Sequence, residues 1–173
     1  MAPETEPHKA PGVPTPRSFL TELGLIGRPR FHRDPMFWLA AAGGAVVAFG
    51  LRLWAPLDHS LPNIQLPWIV VSAVLVYPVI EELIFRGFLQ GHILRFSYGS
   101  RSLSGITLAN LLSTGAFTLI HFVHNPPVWA ASTAAPSLVF GFFRDRHGTV
   151  YPCVALHSAY NFFYLLAAVD ALP

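Results

Sequence analysis

The sequence predicts an all-α protein, a polytopic bundle of about five membrane-spanning helices with its N-terminus inside, and three observations carry that expectation. The first is composition. Of 173 residues, 53% are apolar and 12% charged, with a mean hydropathy of +0.47, too apolar for an ordinary soluble domain. The second is a set of five apolar runs of about 18–24 residues, each able at 1.5 Å rise per residue to cross a core about 30 Å thick. The third is charge placement: nine of the eleven basic residues fall in a tail and loops that alternate to one side.

In chain order, residues 1–17 carry five prolines and almost no large apolar residue, so a disordered tail is expected there. The tail lacks the apolar core and cleavage site of a secretory signal. Residues 18–35 are open to two readings, a short helix on the membrane surface, with Phe19, Leu20, Leu23 and Ile26 at near-helical spacing, or a linker. The membrane domain then runs over 36–170. Its first span is 36–54, where Arg52 can snorkel to the interface. The second is 67–90, continuing toward Arg95, with Pro78 placed to kink it one turn before an acidic pair. The third is 103–123. The fourth, 126–143, is the shortest and richest in Ala and Ser, which suits close helix packing. The fifth is 150–169.

Lys9, Arg17, Arg28, Arg30 and Arg33 precede span one; Arg95 and Arg101 follow span two; Arg144 and Arg146 follow span four. The intervening loops and the C-terminus carry none, so the positive-inside rule predicts a cytoplasmic N-terminus and an outside C-terminus. Topology control accounts for the basic tail, and nucleic-acid binding is not implied. The single cysteine, Cys153, excludes an internal disulfide and reads as a small buried filler. No tandem repeat is visible.

The stretch around which the chain is organised is Glu81-Glu82-Leu83-Ile84-Phe85-Arg86-Gly87. Between Asp58 and Arg95 it holds the only charges. A charge at the bilayer centre costs roughly 2.5–3.5 kcal/mol on insertion scales, so such residues are functional suspects. On a helix, Glu82 and Arg86 lie about 40° apart and can pair, whereas Glu81 points about 100° away from Glu82. One carboxylate is thus neutralised and the other left free. The bland alternative is a buried ion network that orients helices.

Two later segments add polar groups at the same i, i+4 spacing: Phe117 and His121 in span three, and His157 and Asn161 in span five. Alone, each pair reads as interhelical hydrogen bonding. Together, a free carboxylate, two histidines and an asparagine on three helices are the parts of a water-activating hydrolytic site.

The order Glu-Glu-x-x-x-Arg, Phe-x-x-x-His, His-x-x-x-Asn on successive apolar helices resembles the CPBP family of intramembrane glutamic proteases. That family includes the CAAX prenyl endopeptidases and bacterial proteins of bacteriocin-processing type. The resemblance covers roughly residues 68–166, and Pro78, Gly87 and Gly141 fit it as well. It implies Glu81 as general base on a water, helped by His121. A desolvated carboxylate is the better proton acceptor for that task. His157 and Asn161 would donate to the oxyanion, while Glu82, Arg86 and Phe117 give support. It further implies no cofactor and no metal, a membrane protein or peptide as substrate, the lipid bilayer as partner, and a prokaryotic cytoplasmic membrane as location.

Straight helices would leave Glu81 and His121 at different depths, so tilt or kinks must bring them together. The competing readings are a metal site, in which His121, His124, His157 and a glutamate hold a divalent ion, and a non-catalytic immunity or scaffold protein of the same fold. A proton-coupled transporter is a third, against which stand the few spans and the missing inverted repeat.

Overall fold

The computed structural model describes residues 18–27, 29–54 and 66–169. The expected disordered tail, the loop 55–65 and the C-terminal four residues therefore lie outside the described residues. The described chain is mostly helical with one two-stranded sheet, which corrects the all-α expectation.

A short helix, α1 (Phe19–Glu22), is capped by Ser18, whose hydroxyl accepts from the Thr21 amide, and a 3-10 turn follows at Phe31–Arg33. The first long helix is α2 (Pro35–Trp54). The second, α3, runs over 66–93, and its regular α turns are interrupted by π-helical stretches at Ser72–Val76 and Leu83–Gln90. A hairpin of β1 (Ser102–Leu103) and β2 (Ile106–Thr107) leads into α4 (Leu108–His121). Then come α5 (Pro127–Ser132), α6 (Ala134–His147) and α7 (Tyr151–Val169).

Among the described residues, one helix is long and apolar enough to cross a membrane by length and composition, over Pro35–Leu53. The second, third and fourth apolar runs depart from plain spans for local reasons. The third run opens as a hairpin because Ser104 and Gly105 both take positive φ (51° and 83°), the mirror-image turn that joins short antiparallel strands. Helix α4 starts only at Leu108, where the Thr107 hydroxyl accepts from the Asn110 amide at 3.0 Å, and has 14 residues. The fourth run breaks at Thr133. Pro136 has no N–H for the Ser132 carbonyl and its ring crowds that oxygen, so the helix stops and restarts.

The core is a cluster of Phe37, Phe140, Phe143, Cys153 and Leu156 between α2, α6 and α7. Helix α2 lies close along α7 because Gly44 has no side chain: a Cβ there would overlap the Tyr160 ring, whose hydroxyl donates to the Ala40 carbonyl at 2.9 Å. The far face of α2 stays apolar and bare, with Leu39, Val46 and Leu53 more than 70% exposed at heptad spacing.

The segment before α2 is docked on the ends of later helices. Glu22 is buried, its carboxylate held by His92 Nδ1 (2.9 Å) and Arg95 Nη1 (3.1 Å) at the end of α3. Its carbonyl accepts from Arg144 Nη2 at 2.7 Å, and the Leu25 carbonyl accepts from the Tyr151 hydroxyl at 2.9 Å. Asp34 caps α2 through the Met36 amide and binds Arg146 (2.5 Å) and His147 (3.1 Å) at the end of α6. The described segment before α2 and the ends of α3 and α6 thus meet at one end of the bundle.

Candidate active site

The site begins with the backbone of α3. In the first π stretch the Tyr77 amide bonds the Ser72 carbonyl, so the next amide in that register would serve Ala73. That residue is Pro78, which has no N–H. Asn161 Nδ2 from α7 donates to the Ala73 carbonyl instead, at 2.8 Å. Two carbonyls of the second π stretch also accept from side chains of other helices. The Phe85 carbonyl accepts from Ser113 Oγ (2.7 Å) and the Arg86 carbonyl from Arg144 Nε (3.0 Å).

This backbone carries the acidic pair. Glu82 is fully buried and its Oε1 accepts from Arg86 Nη1 at 3.1 Å. Arg86 is fully buried as well; its Nη2 donates to the Ser137 carbonyl (3.0 Å) and Oγ (2.6 Å). The guanidinium lies over the rings of Phe117 (4.7 Å) and Phe140 (5.5 Å), a cation–π arrangement suited to a desolvated arginine. Behind it, Ser137 Oγ pairs with Thr114 Oγ1 (3.0 Å), which pairs with Asn110 Oδ1 (3.2 Å). These form a polar spine across α3, α6 and α4.

His157 sits between the two glutamates. Its Nδ1 is 2.8 Å from Glu82 Oε1, and its Nε2 is 3.6 Å from Glu81 Oε2. The second distance is too long for a hydrogen bond. The imidazole is fixed in plane by stacking on Phe140, centroids 5.0 Å apart at 19°, with the edge of Phe117 at 6.0 Å. Glu81 itself is only part-buried, its side chain 31% exposed.

His121 is placed differently. Its Nδ1 lies 2.8 Å from the Phe117 carbonyl, which can only accept, so Nδ1 carries the proton and Nε2 presents a lone pair. Its ring lies 4.4 Å from that of Phe117. The Phe117 ring thus bridges His121 to His157, and through it to Glu81.

The structure therefore gathers Glu81, Glu82, Arg86, His157 and Phe117, adds His121 across the Phe117 ring, and ties Asn161 to the α3 backbone at Ala73, about two turns before Glu81. Ser137, Thr114, Asn110 and Ser113 went unnoticed in the sequence. The i, i+4 pair Asn110 and Thr114 in an apolar run was their one signal; Ser137 read as a small packing residue. Glu82 Oε2 and Arg86 Nε are buried without a partner among the described residues. No cluster of three metal-ligating side chains occurs among the described residues. Two cavities lie apart from Glu81. One, of about 360 Å³, is bordered by Glu22, Arg95 and Arg144; the other, an apolar groove of about 560 Å³, lies between α3 and α7.

A glutamate and histidine centre backed by a buried arginine, inside helices with bare apolar outer faces, is of the membrane-hydrolase class. A family model described as Type II CAAX prenyl endopeptidase Rce1-like matches residues 63–163, a span that holds every residue of this centre. The chain belongs to that family, a family of membrane-associated proteases. No curated protein and no solved structure matches it.

Proposed function

We propose that the protein is an intramembrane endopeptidase of the glutamic type, crossing a prokaryotic cytoplasmic membrane about five times with its N-terminus inside. Its substrate is a membrane-associated protein or peptide. The observation that carries this reading is the contrast between adjacent glutamates. Glu82 is sealed and shared by Arg86 and His157, whereas Glu81 reaches the accessible side, its only ion-pair partner among the described residues being His157.

Glu81 takes a proton from a water whose oxygen attacks the scissile carbonyl carbon, and passes it to the leaving amine as the C–N bond breaks. The His121 Nε2 lone pair is available to orient that water. The second N–H of Asn161 Nδ2, and His157 Nε2 once its imidazole takes up a second proton, are the candidate donors to the tetrahedral oxyanion. The bare apolar face of α2 supports a lipid surrounding. The gathering of Arg95, Arg144 and Arg146 at one end supports the expected orientation. Glu22 and Asp34 pair with two of these arginines, which speaks for a folding role and against a nucleic-acid surface.

The test is cleavage of membrane-anchored peptides, prenylated and unprenylated, by purified protein in liposomes. Wild type cleaves in the presence of chelators and of serine- and thiol-directed reagents, and folded Glu81→Gln does not. Wild-type rates in Glu81→Gln would overturn the assignment, and chelator inhibition reversed by zinc would restore the metal reading.

A further inference from the structure

We infer that Glu82 is a positioning residue for His157, beyond its pairing with Arg86. The inference rests on the proteolytic reading for its consequence but not for its geometry. Glu82 Oε1 lies 2.8 Å from His157 Nδ1 and 3.1 Å from Arg86 Nη1. Arg86 Nη1 donates to that same oxygen, so Oε1 stands as an acceptor. An acceptor-only oxygen at hydrogen-bond distance requires Nδ1 to carry the proton. The imidazole is locked in one tautomer and directs Nε2 at Glu81.

Phe140 fixes the ring plane by stacking, so rotation about the ring axis is the freedom that Glu82 removes. The chain Arg86–Glu82–His157–Glu81 thus passes orientation from a fully buried cation to the accessible carboxylate. Ser137, 2.6 Å from Arg86 Nη2, anchors its far end. A plain structural ion pair needs only Glu82 and Arg86; the short contact to Nδ1 is the part it leaves unexplained.

The experiment compares two double variants of equal charge, so that loss of the ion pair is common to both. In Glu82→Gln/Arg86→Met an amide oxygen can still accept from Nδ1. In Glu82→Met/Arg86→Met nothing can. Two measurements are made on each folded protein in micelles: the tautomer of His157, by ¹⁵N-histidine NMR with His157→Asn as assignment control, and kcat and KM on a cleaved peptide. The Gln variant should keep the Nδ1–H tautomer and measurable turnover. The Met variant should lose the tautomer and fall further in kcat by on the order of 10²–10⁴-fold, the range for losing an imidazole's orienting partner, with KM little moved.

Equal tautomers, or equal turnover, in the two folded variants would overturn the inference. If either variant does not fold, the wild-type spectrum decides, since a proton on Nε2 with Nδ1 bare contradicts it. Wild type that shows the Nδ1–H tautomer but cleaves nothing would sink the proteolytic reading and leave the positioning geometry standing.

Discussion

Asn161 supplies the hydrogen bond that Pro78 withholds. The two residues lie on different helices and meet at one oxygen, the Ala73 carbonyl, which the π register of α3 assigns to an amide that proline lacks. Pro78→Ala restores an amide to the chain at this point. Asn161→Ala in the native background should cost about 1–3 kcal/mol, the usual penalty for stripping a buried acceptor. With Pro78→Ala already present it should cost much less. A double-mutant cycle by denaturant or thermal unfolding in micelles reads the coupling. Simple additivity would show that the two residues do not share the oxygen.

The two glutamates should part company in stability. Glu82→Gln or Arg86→Ala leaves one buried ion without its partner, which costs about 3–5 kcal/mol in soluble proteins, so both variants should accumulate poorly. Glu81→Gln removes a part-exposed carboxylate that stands 3.6 Å from His157 Nε2, beyond hydrogen-bond reach, and its melting temperature should stay near wild type. Equal losses at 81 and 82 would favour a purely structural network.

Acid should weaken one clasp in a defined window. The Arg146 hydrogen bond, partly opposed by burial and reinforced by the Met36 amide and His147, holds the Asp34 carboxyl below the usual carboxylate range. The folded state therefore binds that proton less readily than the unfolded chain, so the stabilisation is complete above the unfolded value of about 3.9 and fades as pH falls through the folded one. Asn at position 34 can still cap α2 but cannot titrate. The stability gap between wild type and Asp34→Asn should be constant near neutrality and close below about pH 4. A gap unchanged at pH 3 would show that the charge contributes nothing.

Reporter tags test the orientation. Fusions at the N-terminus and within 144–148 should report the cytoplasm, and one after Pro173 the opposite side. A cytoplasmic C-terminus would remove an odd number of crossings from the proposed arrangement.

Much of the helix content was legible, because apolar runs such as 36–54 and 150–169 leave few alternatives to a helix. The Glu82–Arg86 spacing was legible for the same reason, as it depends on one helix alone. The hairpin at Ser104-Gly105 was signalled by its dipeptide but hidden by the apolar residues around it, and the break at Thr133 by a proline three residues later. What stayed illegible depends on register between helices. Nothing in the spacing of Glu82 or His157 fixes their 2.8 Å contact, or makes Asn161 the donor to Ala73. Ser137 matters only because α6 lies against Arg86, and the docked strap at Glu22 only because α3 and α6 end beside it.

The order in which these α3 carbonyls meet their side-chain donors has a consequence in time. Phe85, Arg86 and Ala73 receive their donors from Ser113, Arg144 and Asn161, which follow them by 28, 58 and 88 residues in the chain. At about 5–20 residues per second of synthesis, the last of these donors leaves the ribosome roughly 4–18 seconds after the oxygen it serves. Until then the helix bearing both glutamates lacks these ties to its neighbours. A chain stopped before α7 never gains the Asn161 donor, and the Ala73 oxygen that Pro78 leaves without an amide is then left to water.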